Sequence, residues 1–220
     1  MATELLDEHE QSELVRNWLR NNFGSIILGL VGGIGAIWGV GKYQDWRAES
    51  LDRAGQQYSL YLAAVEKKDA DQIKNLGSTL RSDYAKSPYA VLSAMGEAEK
   101  TLADGGKVDA AIASLEWAHE HAEFDELKAL SALRLSRALL QAGKLDQAAT
   151  LANTVTAKGF SAQAAEVRGD ILLAQGKSAD ARAAYEQALV ELDSASARRR
   201  LVEMKRDDLP LSGAAPKVGG

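Results

Sequence analysis

The hexapeptide Gly-Lys-Val-Asp-Ala-Ala at residues 106–111 indicates the fold, because similar hexapeptides recur twice further along the chain. Residues 143–148 read Gly-Lys-Leu-Asp-Gln-Ala, and residues 176–181 give a looser copy, Gly-Lys-Ser-Ala-Asp-Ala. Each copy follows one Ala- and Leu-rich run and precedes another, with apolar residues at helical spacing and few β-branched runs. This pattern predicts pairs of helices that are joined by a glycine turn.

The glycines that open the three copies, Gly106, Gly143 and Gly176, are 37 and 33 residues apart. These intervals bracket the period of about 34 residues that is typical of tetratricopeptide repeats, whose unit is a pair of antiparallel helices. We expect each glycine to adopt a left-handed conformation and to end the first helix of its unit. A small residue recurs where the second helix must pack closely on the first: Ala111, Ala148 and Ala181.

Further helices are predicted on both sides of the three copies. A degenerate hairpin covers residues 54–85, where the turn lacks a glycine. Its apolar positions are Tyr58, Leu62 and Val65 on the first helix and Ile73, Gly77 and Leu80 on the second. Ser87 and Pro88 mark a helix start, because proline suits a first helical turn, and residues 197–209 predict a capping helix. Stacked hairpins cover each other's apolar faces and form a solenoid; an irregular helical bundle is the alternative.

The first helices of stacked units line the concave side of such a solenoid. The repeat register places seven residues there: Lys100, Leu133, Arg137, Leu140, Glu166, Asp170 and Leu173. We interpret them as candidate contacts for a peptide or protein. The alternative is that they form an ordinary solvated face.

Residues 23–41 contain no charged side chain, and Arg20 and Lys42 bound them. These nineteen residues, at a helical rise of about 1.5 Å, extend roughly 28 Å, close to the thickness of a bilayer's hydrocarbon core. Seven of them are glycines, and each would cost a soluble helix about 1 kcal/mol relative to alanine. In a bilayer the segment must be helical, because its backbone N–H and C=O groups have no water to bond to and can form hydrogen bonds only within the helix. The segment therefore predicts one transmembrane helix.

Two alternatives for this segment are a buried core helix and a cleaved signal peptide. Residues 1–22 are rich in acidic side chains, and the apolar run exceeds the roughly 7–15 residues of a signal peptide. Flanking charges do not fix the orientation, since two basic residues precede the segment and three follow it. Glycines spaced four apart would let another helix approach closely in the membrane: Gly29 with Gly33, and Gly35 with Gly39.

The composition excludes several classes of protein. The chain has no cysteine, which excludes a disulfide scaffold, a thiol nucleophile and a cysteine-type zinc site. Its formal net charge of −5 argues against a nucleic-acid binder. His119 and His121 are two positions apart and diverge on a helix, and the sequence has neither a zinc-helix motif nor a phosphate-binding loop. We therefore predict no catalytic residue, no metal site and no cofactor, and hence a protein that is not an enzyme.

Several longer stretches, taken together, are similar to one known family. They are residues 7–11 and 15–19, Trp46 after the span, residues 127–130 and 133–137, residues 167–173 followed by Gly176-Lys177, and residues 204–209. In this order they resemble the YfgM family, the ancillary subunit of the SecYEG translocon of Gram-negative bacteria. The resemblance covers about residues 7–209, and the tail after Pro210 departs from it.

Sequence and resemblance together predict an all-α protein with a single N-terminal transmembrane helix followed by a tetratricopeptide-like solenoid of helical hairpins. The expected organisation is a cytoplasmic segment over residues 1–22, the span over 23–41, a periplasmic domain over 42–209 and a disordered tail over 210–220. The resemblance implies an inner-membrane location and two partners, SecYEG and a PpiD-type periplasmic peptidyl-prolyl isomerase chaperone. Exported unfolded proteins are a further candidate partner, and whether they bind directly stays open.

The function that the resemblance implies is a non-catalytic interaction module at the Sec translocon, which helps to pass exported proteins to periplasmic chaperones. The alternative is a membrane-tethered adaptor or regulatory scaffold that binds soluble partners and faces the cytoplasm. The nearly balanced charges around the span motivate this alternative.

Overall fold

The computed structural model describes residues 8–210, and this part of the chain is helical without any strand. The chain divides into two compact units, Met1–Asp52 and Arg53–Gly220. Residues 1–7 and 211–220, which include most of the predicted tail, lie outside the described part. The all-α fold class predicted from the sequence is confirmed.

Nine helices follow one another along the described chain. Their bounds are α1 Glu8–Lys67, α2 Ala70–Asp83, α3 Pro88–Ala103, α4 Val108–His121, α5 Asp125–Gln141, α6 Leu145–Asn153, α7 Ser161–Ala174, α8 Ser178–Glu191 and α9 Ala197–Asp207. The predicted helix start is present, because the Ser87 hydroxyl accepts a hydrogen bond from the Ala90 N–H (3.2 Å) and Pro88 opens α3.

Within the described residues, the first unit is α1 from Glu8 to Asp52, with polar segments on both sides of an apolar stretch. Its most apolar stretch has a mean hydropathy of 1.9, and none of that stretch is buried against protein. By length and composition this helix can cross a membrane. Large apolar side chains along residues 23–41 are exposed, as expected of a helix whose surroundings are lipid.

In the second unit, the helices form antiparallel hairpins that are closed by left-handed residues. Gly143 and Gly176 have φ values of +74° and +77°, as predicted. After Gly143, the Lys144 N–H donates to the Leu139 carbonyl (2.9 Å), which satisfies a carbonyl at the helix end. The sequence prediction for these two turns is confirmed.

The prediction for Gly106 is wrong by one position. Gly105 has the left-handed φ of +69°, while the Gly106 N–H donates to the Thr101 carbonyl (2.8 Å). Gly106 thus occupies the position that Lys144 has in the next unit, one residue beyond the left-handed residue. It is constrained for a different reason, because a Cβ there would lie 2.8 Å from the Thr101 carbonyl oxygen.

The degenerate first hairpin exists, but its first helix is rotated relative to the prediction. Ile73, Gly77 and Leu80 of α2 are buried as expected. On α1, Tyr61 and Ala64 pack inward, whereas the predicted positions Leu62 and Val65 are 49% and 40% exposed and Tyr58 is half-buried. Tyr61 is suited to the inner face because its hydroxyl donates to the Ser93 carbonyl (3.2 Å).

Close helix contacts depend on small residues. Ala111, Ala148 and Ala181 are fully buried, in agreement with the repeat register. A Cβ on Gly169 of α7 would lie 2.4 Å from the Tyr185 ring of α8, so only glycine lets these two helices approach this closely. Most of the buried apolar side chains in the described part of the chain fall into three clusters, the largest in α3 to α7, one in α7 to α9 and one in α1 to α3.

Candidate protein-binding site

A cleft opens between α3, α4 and α5, with a volume of about 300 Å³. Its apolar lining comes from four side chains and the methyl of Ala138: Met95, Ala98, Leu102 and Leu115. Its polar lining consists of Glu99, Arg134, Arg137 and Gln141. The cleft therefore combines an apolar surface with charged groups at its edge.

The two arginines of the cleft differ in their partners. Arg134 donates to the Glu99 carboxylate of α3 (3.1 Å). Arg137 is half-buried, and within residues 8–210 it makes no hydrogen bond or ion pair. Burial lowers the pKa of Arg137, partly offset by the charge of Glu166, but an arginine keeps its proton at neutral pH. The cleft thus contains a cationic group that no carboxylate of the described chain neutralises directly.

Glu166 and Asp170, whose charges also act on Arg137, form a charge network with α9. Glu166 is only 3% exposed and accepts hydrogen bonds from Lys205 (2.8 Å) and Arg198 (3.0 Å). Asp170 accepts from Lys205 (2.8 Å) and from the Tyr185 hydroxyl (2.8 Å). Lys205 joins α9 to α7 by contacting both carboxylates, and the Tyr185 hydroxyl joins α8 to the same network.

The protonation states in this network follow from burial and charge. Burial alone would raise the pKa of Glu166, but the Lys205 hydrogen bond and the charges of Lys205, Arg198 and Arg137 together lower it. Burial and the hydrogen bond to Asp170 raise the pKa of the Tyr185 hydroxyl. At neutral pH the carboxylate is therefore ionised and the tyrosine neutral, so every hydrogen bond of the network is in place.

The model of one protein family, described as tetratricopeptide repeat-like domain, matches residues 16–211. The chain belongs to this tetratricopeptide repeat-like family. The match extends from before the candidate span to beyond α9, so the repeat inferred from the three glycine hexapeptides is part of a larger family pattern.

Curated relatives of this tetratricopeptide repeat-like protein are named ancillary SecYEG translocon subunits. One from Haemophilus influenzae is 29% identical and covers 95% of this chain and all of the relative. One from Escherichia coli is 27% identical over 93% of this chain and 98% of the relative. One from Neisseria gonorrhoeae is 28% identical over 95% of this chain and 100% of the relative. They confirm the family resemblance seen in the sequence. No solved structure matches the chain.

The structure separates the seven predicted groove residues into different surroundings. Glu166 and Asp170 are brought together by Lys205, and Arg137 lines the cleft. Leu133 is fully buried in the core, and Leu140 is partly buried against it, because both are on the inner side of α5. Leu173 is exposed, and Lys100 pairs with Asp104 (2.6 Å) on its own helix. Their role in binding stays a prediction.

The glycines of the predicted membrane contact lie on an open surface. A Cβ placed on Gly29, Gly33, Gly35 or Gly39 would meet nothing within 4 Å. Another helix has the space to approach the backbone there, which is what small residues permit in lipid. The contact itself stays a prediction.

Sequence reasoning missed parts of both surfaces. Met95 and Leu115 are core residues, and the sequence does not show that they also form the floor of the cleft. Nor does it show the ion pair between Glu99 and Arg134, which are 35 residues apart. One signal was available: Arg134 and Arg137 are three residues apart on a helix that is otherwise Ala- and Leu-rich, which places both guanidinium groups on one face.

His119, whose Nδ1 is 3.2 Å from the Ser131 hydroxyl, lines another cavity of about 440 Å³. Among residues 12–210, whose side chains the structure describes, no three potential metal ligands cluster.

Proposed function

We propose that this chain is a membrane-anchored, non-catalytic interaction subunit of the Sec translocon. The observation that carries the proposal is similarity along almost the whole chain to proteins named ancillary SecYEG translocon subunits. The architecture supports it, because a candidate membrane helix precedes a solenoid of helical hairpins. Such solenoids present extended surfaces on which proteins bind.

The proposed mechanism is one of local concentration. Residues 23–41 hold the solenoid in the membrane that contains the channel, and residues 42–209 meet polypeptides as they emerge. Tethering converts a bimolecular encounter into one within the same assembly and so raises its effective concentration. The partners in this proposal are SecYEG, a PpiD-type periplasmic isomerase and exported unfolded chains, which the subunit helps to pass to periplasmic chaperones.

The proposed topology has residues 1–22 in the cytoplasm and the solenoid in the periplasm, at the inner membrane. The family resemblance supports this direction, whereas the flanking charges do not decide it. The opposite orientation corresponds to the alternative function, a cytoplasm-facing adaptor that binds soluble partners.

Copurification tests the Sec association. The tagged full-length chain is solubilised from membranes in mild detergent, and SecY and the periplasmic isomerase are quantified by mass spectrometry. A matched control replaces residues 23–41 by leucines, which keeps the anchor and removes Gly29, Gly33, Gly35 and Gly39. We expect SecY and the isomerase to copurify with the wild type, and less SecY to copurify with the control. Absence of SecY from the wild-type sample would contradict the proposal, and absence of the isomerase alone would contradict the transfer to chaperones.

Cysteine labelling tests the orientation without background, because the chain has no cysteine. Val190→Cys introduces a thiol at an exposed position of α8, and Glu13→Cys introduces one before the span. A maleimide that cannot cross the inner membrane is added to cells with a permeabilised outer membrane. We expect labelling of the Val190→Cys variant only. Labelling of the Glu13→Cys variant instead would favour the cytoplasmic adaptor.

A further inference from the structure

We propose that the cleft between α3, α4 and α5 binds a short polypeptide segment in which an acidic side chain adjoins an apolar one. The carboxylate would pair with Arg137, and the apolar side chain would lie against Leu102 and the cleft floor that Met95 and Leu115 form. This inference rests on the proposed function, since it assigns a chemistry to the segment that the interaction module recognises.

Arg137 supplies the positive charge of the cleft that has no ion-pair partner among the described residues. Its guanidinium is half-buried at the cleft and makes no hydrogen bond or ion pair within the described chain. A guanidinium offers five N–H donors in a planar fork that matches a carboxylate. Glu99, which lines the cleft, is already paired with Arg134. Glu166 and Asp170, whose charges act on Arg137 from outside the cleft lining, are paired with Lys205. A carboxylate from outside therefore fits the charge that the cleft leaves unmatched.

The size and apolar lining of the cleft limit what it can admit. The cleft has about 300 Å³, which is at the small end of ligand sites. A helix is roughly 10 Å wide with its side chains, so the cleft admits side chains of a bound segment rather than a whole element. Its floor is formed by the buried side chains of Met95 and Leu115, and the partly exposed Leu102 lies at the same cleft, so an apolar group of a bound segment would rest on this surface. Together with Arg137, this favours an acidic and apolar peptide segment over a free carboxylic acid.

The test uses three fluorescein-labelled peptides and the full-length chain in detergent micelles. Their sequences are Gly-Ser-Leu-Asp-Leu-Ser-Gly and the same peptide with Asn or Lys in place of Asp. Fluorescence anisotropy at low salt gives each Kd. We expect the Asp peptide to bind at least about tenfold more tightly than the Asn peptide, a factor that one charge-assisted hydrogen bond supplies. The Lys peptide should bind more weakly than either.

Three variants assign the binding to the cleft. Arg137→Gln should abolish the preference for Asp over Asn. The matched control Lys144→Gln removes one positive charge at an exposed pair with Asp109 and should keep the preference. Gln141→Trp adds bulk at an exposed position of the cleft and should weaken both the Asp and the Asn peptide by severalfold. Far-UV circular dichroism confirms that each variant is folded.

The proposal is overturned if the Asp and Asn peptides bind equally, or if Arg137→Gln leaves their ratio unchanged. It is also overturned if sedimentation shows that Arg137 instead mediates dimerisation of the full-length chain. SecY copurification is measured with the same Arg137→Gln protein. Loss of the peptide preference as expected, with or without retained SecY, supports the cleft. An absent preference in the wild type alongside normal SecY recovery refutes the cleft and leaves the proposed function standing.

Discussion

Replacing Lys205 by methionine removes the cation that joins two carboxylates of α7 to α9. Methionine keeps an unbranched stem of similar length but cannot donate a hydrogen bond. Three donor–acceptor contacts are lost, one to Glu166 at 2.8 Å and two to Asp170 at 2.8 and 2.9 Å. We expect the second unit to become less stable and α9 to dissociate more readily.

The magnitude follows from burial and from the partners that remain. Removing one member of a fully buried ion pair costs about 3–5 kcal/mol. Here the Lys205 side chain is 28% exposed, so water replaces part of what is lost. Glu166 retains Arg198, and Asp170 retains the Tyr185 hydroxyl. We therefore expect the free energy of unfolding to fall by about 2–3 kcal/mol, less than for a fully buried pair.

Urea unfolding of the full-length chain in micelles, followed by far-UV circular dichroism, measures this loss. The matched control is Lys144→Met, which breaks an exposed pair with Asp109 and should cost at most about 1 kcal/mol. If Lys205→Met lowers the free energy of unfolding no more than the control does, then the network contributes no net stability and the reasoning is refuted.

Three further predictions use the same urea assay. Gly169→Ala should lower the free energy of unfolding by about 1–2 kcal/mol, because the new methyl must displace the buried Tyr185 ring. The control Gly55→Ala, where the Cβ meets only ordinary contacts at 3.4 Å, should be neutral or stabilising. Equal effects of the two substitutions would contradict the packing argument. Lys68→Gly should stabilise by up to about 1 kcal/mol, because Lys68 has a left-handed φ of +57°; a loss of stability would contradict this. The lowered pKa of Glu166 stabilises the fold above the unfolded pKa of about 4.5, and this stability should be lost as pH falls below that value. The difference between wild type and Lys205→Met should shrink over the same acidic range, and a difference that is constant with pH would exclude Glu166 as its source.

The local features of the fold were predictable from the sequence. Gly143 and Gly176 end helices because they follow apolar runs, and only the immediate neighbours decide this. Ala111, Ala148 and Ala181 are buried because their spacing repeats with the hairpin. The position of Gly105 shows the limit of this reasoning, since two adjacent glycines both satisfy the pattern and only the hydrogen bond to Thr101 distinguishes them.

The charge contacts were not predictable, because they join residues that are distant in sequence. Lys205 reaches Glu166 across 39 positions, and which cation of α9 faces inward depends on how α9 packs on α7 and α8. The same applies to α1, where Tyr61 rather than Leu62 faces the core because a hydroxyl partner, the Ser93 carbonyl, is supplied by α3. The spacing of apolar residues predicts that a helix has an apolar face. An error of one residue in the inner positions rotates that face by about 100°.

The division of the apolar core into three clusters has a mechanical consequence. Stability in stacked repeats is a sum of local terms, so one end can open while the other hairpins stay closed. The last cluster depends on Val202 of α9 meeting Tyr185 and Ala165. A force or a protease that peels α9 away would therefore uncover this cluster first, and the central hairpins would persist as an intact frame.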